Sequence, residues 1–98
     1  DIKTKRRTVD PRPDYEVSIA DHNTEQDADI YYFCSVNTET DTVTLCGYLP
    51  TEAYFDRAEF HAEGELDPDN GFRFSADCWN VPIRYLRQFA VGSTEVEL

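Results

Sequence analysis

Apolar, aromatic and β-branched positions are densest in residues 29–49, DIYYFCSVNTETDTVTLCGYL. Two runs within it, 30–37 and 42–48, flank the polar tetrapeptide 38–41, which is the pattern of two strands joined by a short hairpin loop. Pairing Asn37 with Thr42 sets Val36 against Val43, Cys34 against Leu45 and Tyr32 against Gly47 on one face, because side chains alternate along a strand. The other face then carries Tyr31, Phe33 and Ser35 against Thr44, Cys46 and Tyr48. Both faces are largely apolar, so the pattern predicts a hairpin inside a sheet that is covered on both sides.

The flanking sequence is read as attachments to this hairpin. Residues 1–7 form a strand, and 8–13 a loop, since Pro11 and Pro13 exclude a helix interior. Within 14–28, DYEVSIADHNTEQDA, the residues Tyr15, Ile19, His22 and Gln26 recur at helical spacing behind Asp14 as N-cap. A second helix is predicted over 51–59, with Thr51 as cap, Glu52 near the positive end of the dipole, and Tyr54, Phe55 and Ala58 facing the core. Residues 63–71, EGELDPDNG, read as an acidic turn. Residues 72–75 read as a short strand with its phenylalanines inward, and 79–83 as an extended segment suited to Pro82. A last helical turn over 84–89 and a frayed tail over 92–98 complete the chain. The expected fold is a single α/β domain over 1–98: a mixed central β-sheet with the 30–37 and 42–48 hairpin, flanked by two short helices, 14–28 and 51–59.

Ninety-eight residues suffice for one core. No stretch approaches the roughly 20 apolar residues of a membrane span, and no signal-peptide pattern appears. The expectation is a soluble, cytoplasmic protein, in the host cytoplasm if viral. The chain starts at Asp1 and has no methionine, so the domain is expected to be truncated at its N-terminus. Three cysteines, an odd number without CxxC spacing, read as reduced core residues. No paired-ligand spacing supports a zinc site at His22 or His61.

Charge divides the chain unevenly. Residues 1–12 carry five basic against two acidic groups, a net +3, whereas 13–98 carry four arginines against eighteen acids, a net −14. A basic arm on an acidic body suits contact with phosphate through the arm, or an acidic surface that maintains solubility.

Asp1-Ile2-Lys3 is an aspartate–x–lysine triplet on the first strand. A basic loop, a helix carrying polar residues and the hydrophobic strand DIYYFCSVN follow it, then GYLPTEAYFDRAEF and a closing NVPIRYL. In order and pattern this resembles the C-terminal half of a PD-(D/E)XK nuclease core, the restriction-endonuclease-like type of phage and mobile elements. The resemblance implies a Mg²⁺-dependent endonuclease acting on nucleic-acid phosphodiester bonds, DNA being the expected substrate. Asp1, Lys3 and Gln26 would be catalytic, Asp1 and the Ile2 carbonyl would hold Mg²⁺, and Lys5, Arg6, Arg7 and Arg12 would follow the phosphate backbone. Such a core also needs an upstream acidic residue, from a segment of this protein or of another chain, and without it this portion is expected to be inactive. The acidic body supports an alternative, a phage-type interaction protein that mimics DNA and binds a basic partner protein. A small structural domain without a site is the third reading.

Overall fold

The computed structural model describes residues 1–23, 28–69, 71–88 and 95–97. Strand β1 (Ile2–Arg7) is followed by β2 (Glu16–Ala20), β3 (Ile30–Asn37), β4 (Thr42–Pro50), the helix α1 (Thr51–Arg57), β5 (Glu59–His61), β6 (Cys78–Pro82) and β7 (Glu95–Glu97), with 3-10 turns at Asp21–Asn23 and Ile83–Tyr85. One sheet has the order β1-β3-β4-β7 and the other β2-β6-β5. In the first, β1 runs parallel to β3 while β3–β4 and β4–β7 are antiparallel, so the sheet is mixed. The expected α/β class and its hairpin are therefore present. No helix among the described residues is long and apolar enough to cross a membrane.

Of the two expected helices, among the described residues only the second is present, shortened to Thr51–Arg57; residues 24–27 of the first lie outside the described residues. Thr51 is its first residue rather than its cap. The Thr51 hydroxyl instead donates to the carbonyl of Ala28, and its amide donates to Asp29 at 3.0 Å. The 14–28 helix is replaced by β2 and a 3-10 turn. β-Branched Val17 and Ile19 alternate with Ser18 and Ala20, and this period of two matches a sheet whose one face is core. Val17 and Ile19 are buried there, opposite Val81 and Trp79 of β6. Residues 72–75 form no strand; only an isolated bridge joins Leu66 to Arg73, and Phe72 is 74 % exposed. The tail expected to fray supplies β7, paired with Thr42, Val43 and Thr44.

The core lies between the two sheets. Tyr31 and Phe33 of β3 meet Tyr54 of α1, with ring centroids 6.1 Å and 5.4 Å from it, and Phe55 extends the aromatic seam to Trp79. Rings of this size dominate the apolar area a small domain can remove from water. The Tyr54 hydroxyl satisfies its burial by donating to the carbonyls of Trp79 and Val17, which fixes α1 to both β6 and β2. Burial holds this phenol far above its ordinary pKa, so it stays protonated and keeps donating.

The hairpin register holds from Asn37–Thr42 to Cys34–Leu45 and then shifts, so that Phe33 pairs with Gly47 and Tyr32 with Tyr48. Cys46 is the extra residue of this bulge and turns into the core. Burial, with Cys34 nearby, pushes its thiol up to about 11. All three cysteines are free thiols. The opposite face of the sheet is not covered as expected. Ile2 is 67 % exposed and Tyr32 37 %, and Val36, Val43, Leu45 and Tyr48 are half-buried.

Gly47 makes the bulge possible. Its φ is +136°, and a Cβ there would lie 2.6 Å from the Arg87 carbonyl oxygen and 2.8 Å from Leu86 Cβ. That close passage lets Tyr48 and Arg87 exchange two 2.9 Å backbone hydrogen bonds. Gly47→Ala is expected to cost at least about 1–3 kcal/mol from backbone strain alone, a melting loss of roughly 4–8 °C per kcal/mol in a domain this size. Gly64→Ala, at φ +89° but in open space, should cost less. Equal melting shifts for the two variants would show that the crossing at Gly47 is unimportant.

Candidate functional site

Alternation along β1 decides where its cations go. Lys3, Lys5 and Arg7 pair in register with Phe33, Ser35 and Asn37 and share their inward face, whereas Ile2, Thr4 and Arg6 face outward. The same alternation puts Asp1 beside Lys3, and the Asp1 Oδ2 lies 3.1 Å from Lys3 Nζ. The Asp1 amino group donates to Ile30 at 3.0 Å, extending the pairing of β1 with β3. Lys3 Nζ also stands 5.9 Å from the Tyr31 ring centroid. The triplet's acid and lysine thus form one ion pair at the start of the strand. Gln26 lies outside the described residues.

The remaining inward cations meet the acidic turn after β5. Lys5 Nζ is 3.4 Å from Asp67 Oδ2 and 3.9 Å from Asp69 Oδ2. Arg7 is buried, and its Nη2 lies 3.3 Å from Asp69 Oδ2 while donating to the Glu16 carbonyl at 2.9 Å. Its guanidinium lies over Tyr15, 4.6 Å from the ring centroid. Asp69 Oδ2 accepts a further 2.7 Å hydrogen bond from the Glu16 amide. The turn is shaped for this: Asp67 Oδ1 accepts from the Asp69 amide at 2.9 Å, and the Gly71 amide donates to the Asp67 carbonyl. Asp67 and Asp69 are the residues that sequence reasoning missed, having read DPDNG as an ordinary turn. Their signal is the spacing of Lys3, Lys5 and Arg7, because cations directed into a core require buried counter-charges.

Arg12 lies apart from this cluster. It is exposed, pairs with Asp14 at 3.0 Å, and stands 5.3 Å from the Tyr15 ring centroid. The Asp14 partner raises the pKa of Arg12, and Arg12 lowers that of Asp14. Arg6 is exposed on the outer face of β1.

Between β1 and β2 opens a cleft of about 390 Å³, lined among others by Lys3, Lys5, Val17, Phe33, Asp67 and Phe74. Its lining mixes lysine, aspartate and apolar side chains. On the polar face of the second sheet, Glu16, Glu59 and His61 place ligand atoms within 4.8 Å of one another, and among the described residues they are the group able to hold a metal ion. Burial raises the pKa of Glu16, while Asn80 and His61 oppose the rise and Asp69 and Glu59 add to it.

Asp69→Ala leaves the Arg7 charge buried without its partner and is expected to destabilise the fold by about 3–5 kcal/mol, whereas Arg12→Ala, at an exposed pair, should scarcely alter denaturant midpoints. Similar midpoints for the two variants would remove Asp69 from its structural role. Comparison with known protein families, with curated proteins and with solved structures finds no match to this chain.

Proposed function

We propose that the chain is the acid–lysine half of a Mg²⁺-dependent nuclease core of the PD-(D/E)XK kind, acting on nucleic-acid phosphodiester bonds, DNA in the first instance. The observation that carries this reading is the Asp1–Lys3 pair, 3.1 Å apart on the inward face of a strand whose next inward lysine also lines the cleft. Two features of the sheet support it. β1 lies at the edge of its sheet, and among the described residues no strand pairs with its outer side. Its outward face, with Ile2 and Tyr32 exposed, offers apolar area to a further segment, of this protein or of another chain, that would bring the second acid.

The donors at the triplet suit Mg²⁺ in kind, since a carboxylate and the Ile2 carbonyl are hard oxygen ligands and this ion keeps much of its water. They are few in number: among the described residues, Asp1 belongs to no group of three ligands. When bound, the ion would polarise a phosphodiester and acidify a water. The Lys3 ammonium, held by Asp1, would donate to a phosphate oxygen as charge develops on it. Lys5 and Arg7 are held inward by Asp67 and Asp69, so the exposed Arg6, and exposed Arg12 once released from Asp14, are the cations most accessible to the phosphate backbone, with an affinity that falls as salt rises.

The test is cleavage of labelled DNA by the chain supplied with an acid-bearing N-terminal segment. Cleavage should require Mg²⁺ and fall by about 10²–10³-fold in Lys3→Ala, the scale of losing one transition-state donor, with the melting temperature unchanged. No metal-dependent cleavage, together with tight salt-sensitive capture of a basic protein, would reject the nuclease and support the acidic DNA-mimic reading.

A further inference from the structure

We propose that Glu16, Glu59 and His61 form a second cation site, distinct from the Asp1–Lys3 pair, that takes a borderline divalent ion of the Zn²⁺ type. The sheet β2-β6-β5 builds it. Ser18, Asn80 and Glu59 are aligned across the three strands, and Glu16 and His61 each lie two residues along from an aligned position. These residues therefore share the face opposite to Val17, Ile19 and Val81. Their ligand atoms lie within 4.8 Å of one another although they come from two strands that are not neighbours.

The hydrogen bonding around the cluster is incomplete in a way a cation would complete. Glu16 is 9 % exposed and its Oε1 has no hydrogen-bond partner; the same holds for His61 Nε2. The two atoms face each other at 3.8 Å, too far for a hydrogen bond. Asn80, 1 % exposed, lies close enough to Glu16 to favour its charged form, yet neither of its amide atoms completes a hydrogen bond. Buried polar groups left in this state are rare and costly. Meanwhile His61 Nδ1 lies 2.9 Å from Glu65 Oε2, and its ring stacks on Phe74 at 5.1 Å. A carboxylate on one imidazole nitrogen fixes the tautomer that leaves a lone pair on the other, the usual support for a metal-bound histidine. Two lone-pair acceptors then face one another. An ion between them removes the conflict. One imidazole with two carboxylates favours Zn²⁺ over Mg²⁺, which prefers oxygen alone.

Calorimetry on the chelator-treated full chain, titrated with ZnCl₂ and then with MgCl₂, tests the site. One equivalent of Zn²⁺ should bind and raise the melting temperature, and Mg²⁺ should do neither. The His61 Nε2 resonance in a ¹⁵N spectrum of the wild-type protein should shift on Zn²⁺ addition, a readout independent of any variant's folding. Glu59→Gln, at an exposed side chain, and His61→Gln should each abolish the Zn²⁺ response, while Asp1→Asn and Cys78→Ser keep it. The proposal is overturned if Zn²⁺ leaves the wild-type His61 resonance unmoved, if Glu59→Gln binds as the wild type does, or if Cys78→Ser alone loses the ion. A shared proton in place of a metal would show as no Zn²⁺ binding and a His61 resonance that moves only with pH.

Discussion

The carboxylate of Asp69 is the point on which the arrangement of this domain depends. One of its oxygens meets the buried Arg7 guanidinium and the Glu16 amide together, so a single group ties the end of β1 to the start of β2 and fastens the turn after β5 over both. Without it the buried Arg7 guanidinium would stand beside the core with no carboxylate partner among the described residues. A buried ion pair of this kind contributes little net stability over a well-packed apolar substitute; its worth lies in admitting only one relative placement of its members. Here that placement sets the separation of the two sheets along the cleft.

Behind that polar layer the aromatic seam sets the opposite boundary. Tyr31, Phe33 and Tyr54 fill the space between the sheets, and the Tyr54 hydroxyl donates to carbonyls of β2 and β6. The domain is thus layered, with rings on one side of β2 and β6 and ionisable groups on the other. Of the two candidate sites, the Glu16–Glu59–His61 cluster belongs to the ionisable side, whereas the acid–lysine pair stands beside the seam, with Lys3 Nζ 5.9 Å from the Tyr31 ring centroid. The cluster draws on β2, whose back, Val17 and Ile19, is held in the core, which is how small sites keep their geometry.

Much of this was legible in the sequence where local pattern and tertiary packing agree. The hairpin, its loop and the first half of its register follow from alternation around the 38–41 tetrapeptide, and the adjacency of Asp1 and Lys3 follows from the two-residue repeat of a strand. Legibility ended where a remote segment decides the outcome. The bulge at Cys46 depends on Leu86 and Arg87 passing over Gly47, and nothing near Cys46 announces it. Residues 14–28 satisfy a helical repeat through Tyr15, Ile19 and His22 and a strand repeat through Val17 and Ile19; the sheet won because β6 offers Val81 and Trp79 as partners. The counter-charges of β1 lie some sixty residues away in chain order, as the Lys5–Asp67 and Arg7–Asp69 separations record, and local reading cannot join them.

The segregation of charge has a consequence for solvent. The Arg7–Asp69 pair is enclosed, whereas other pairs such as Arg12–Asp14 are exposed, and the net charge of −11 reflects an excess of carboxylates. Dissolved ions at physiological strength screen forces between exposed charges more than about 8–10 Å apart and reach enclosed ones far less. Added salt therefore relaxes the mutual repulsion of the shell more than it weakens the inner clasp.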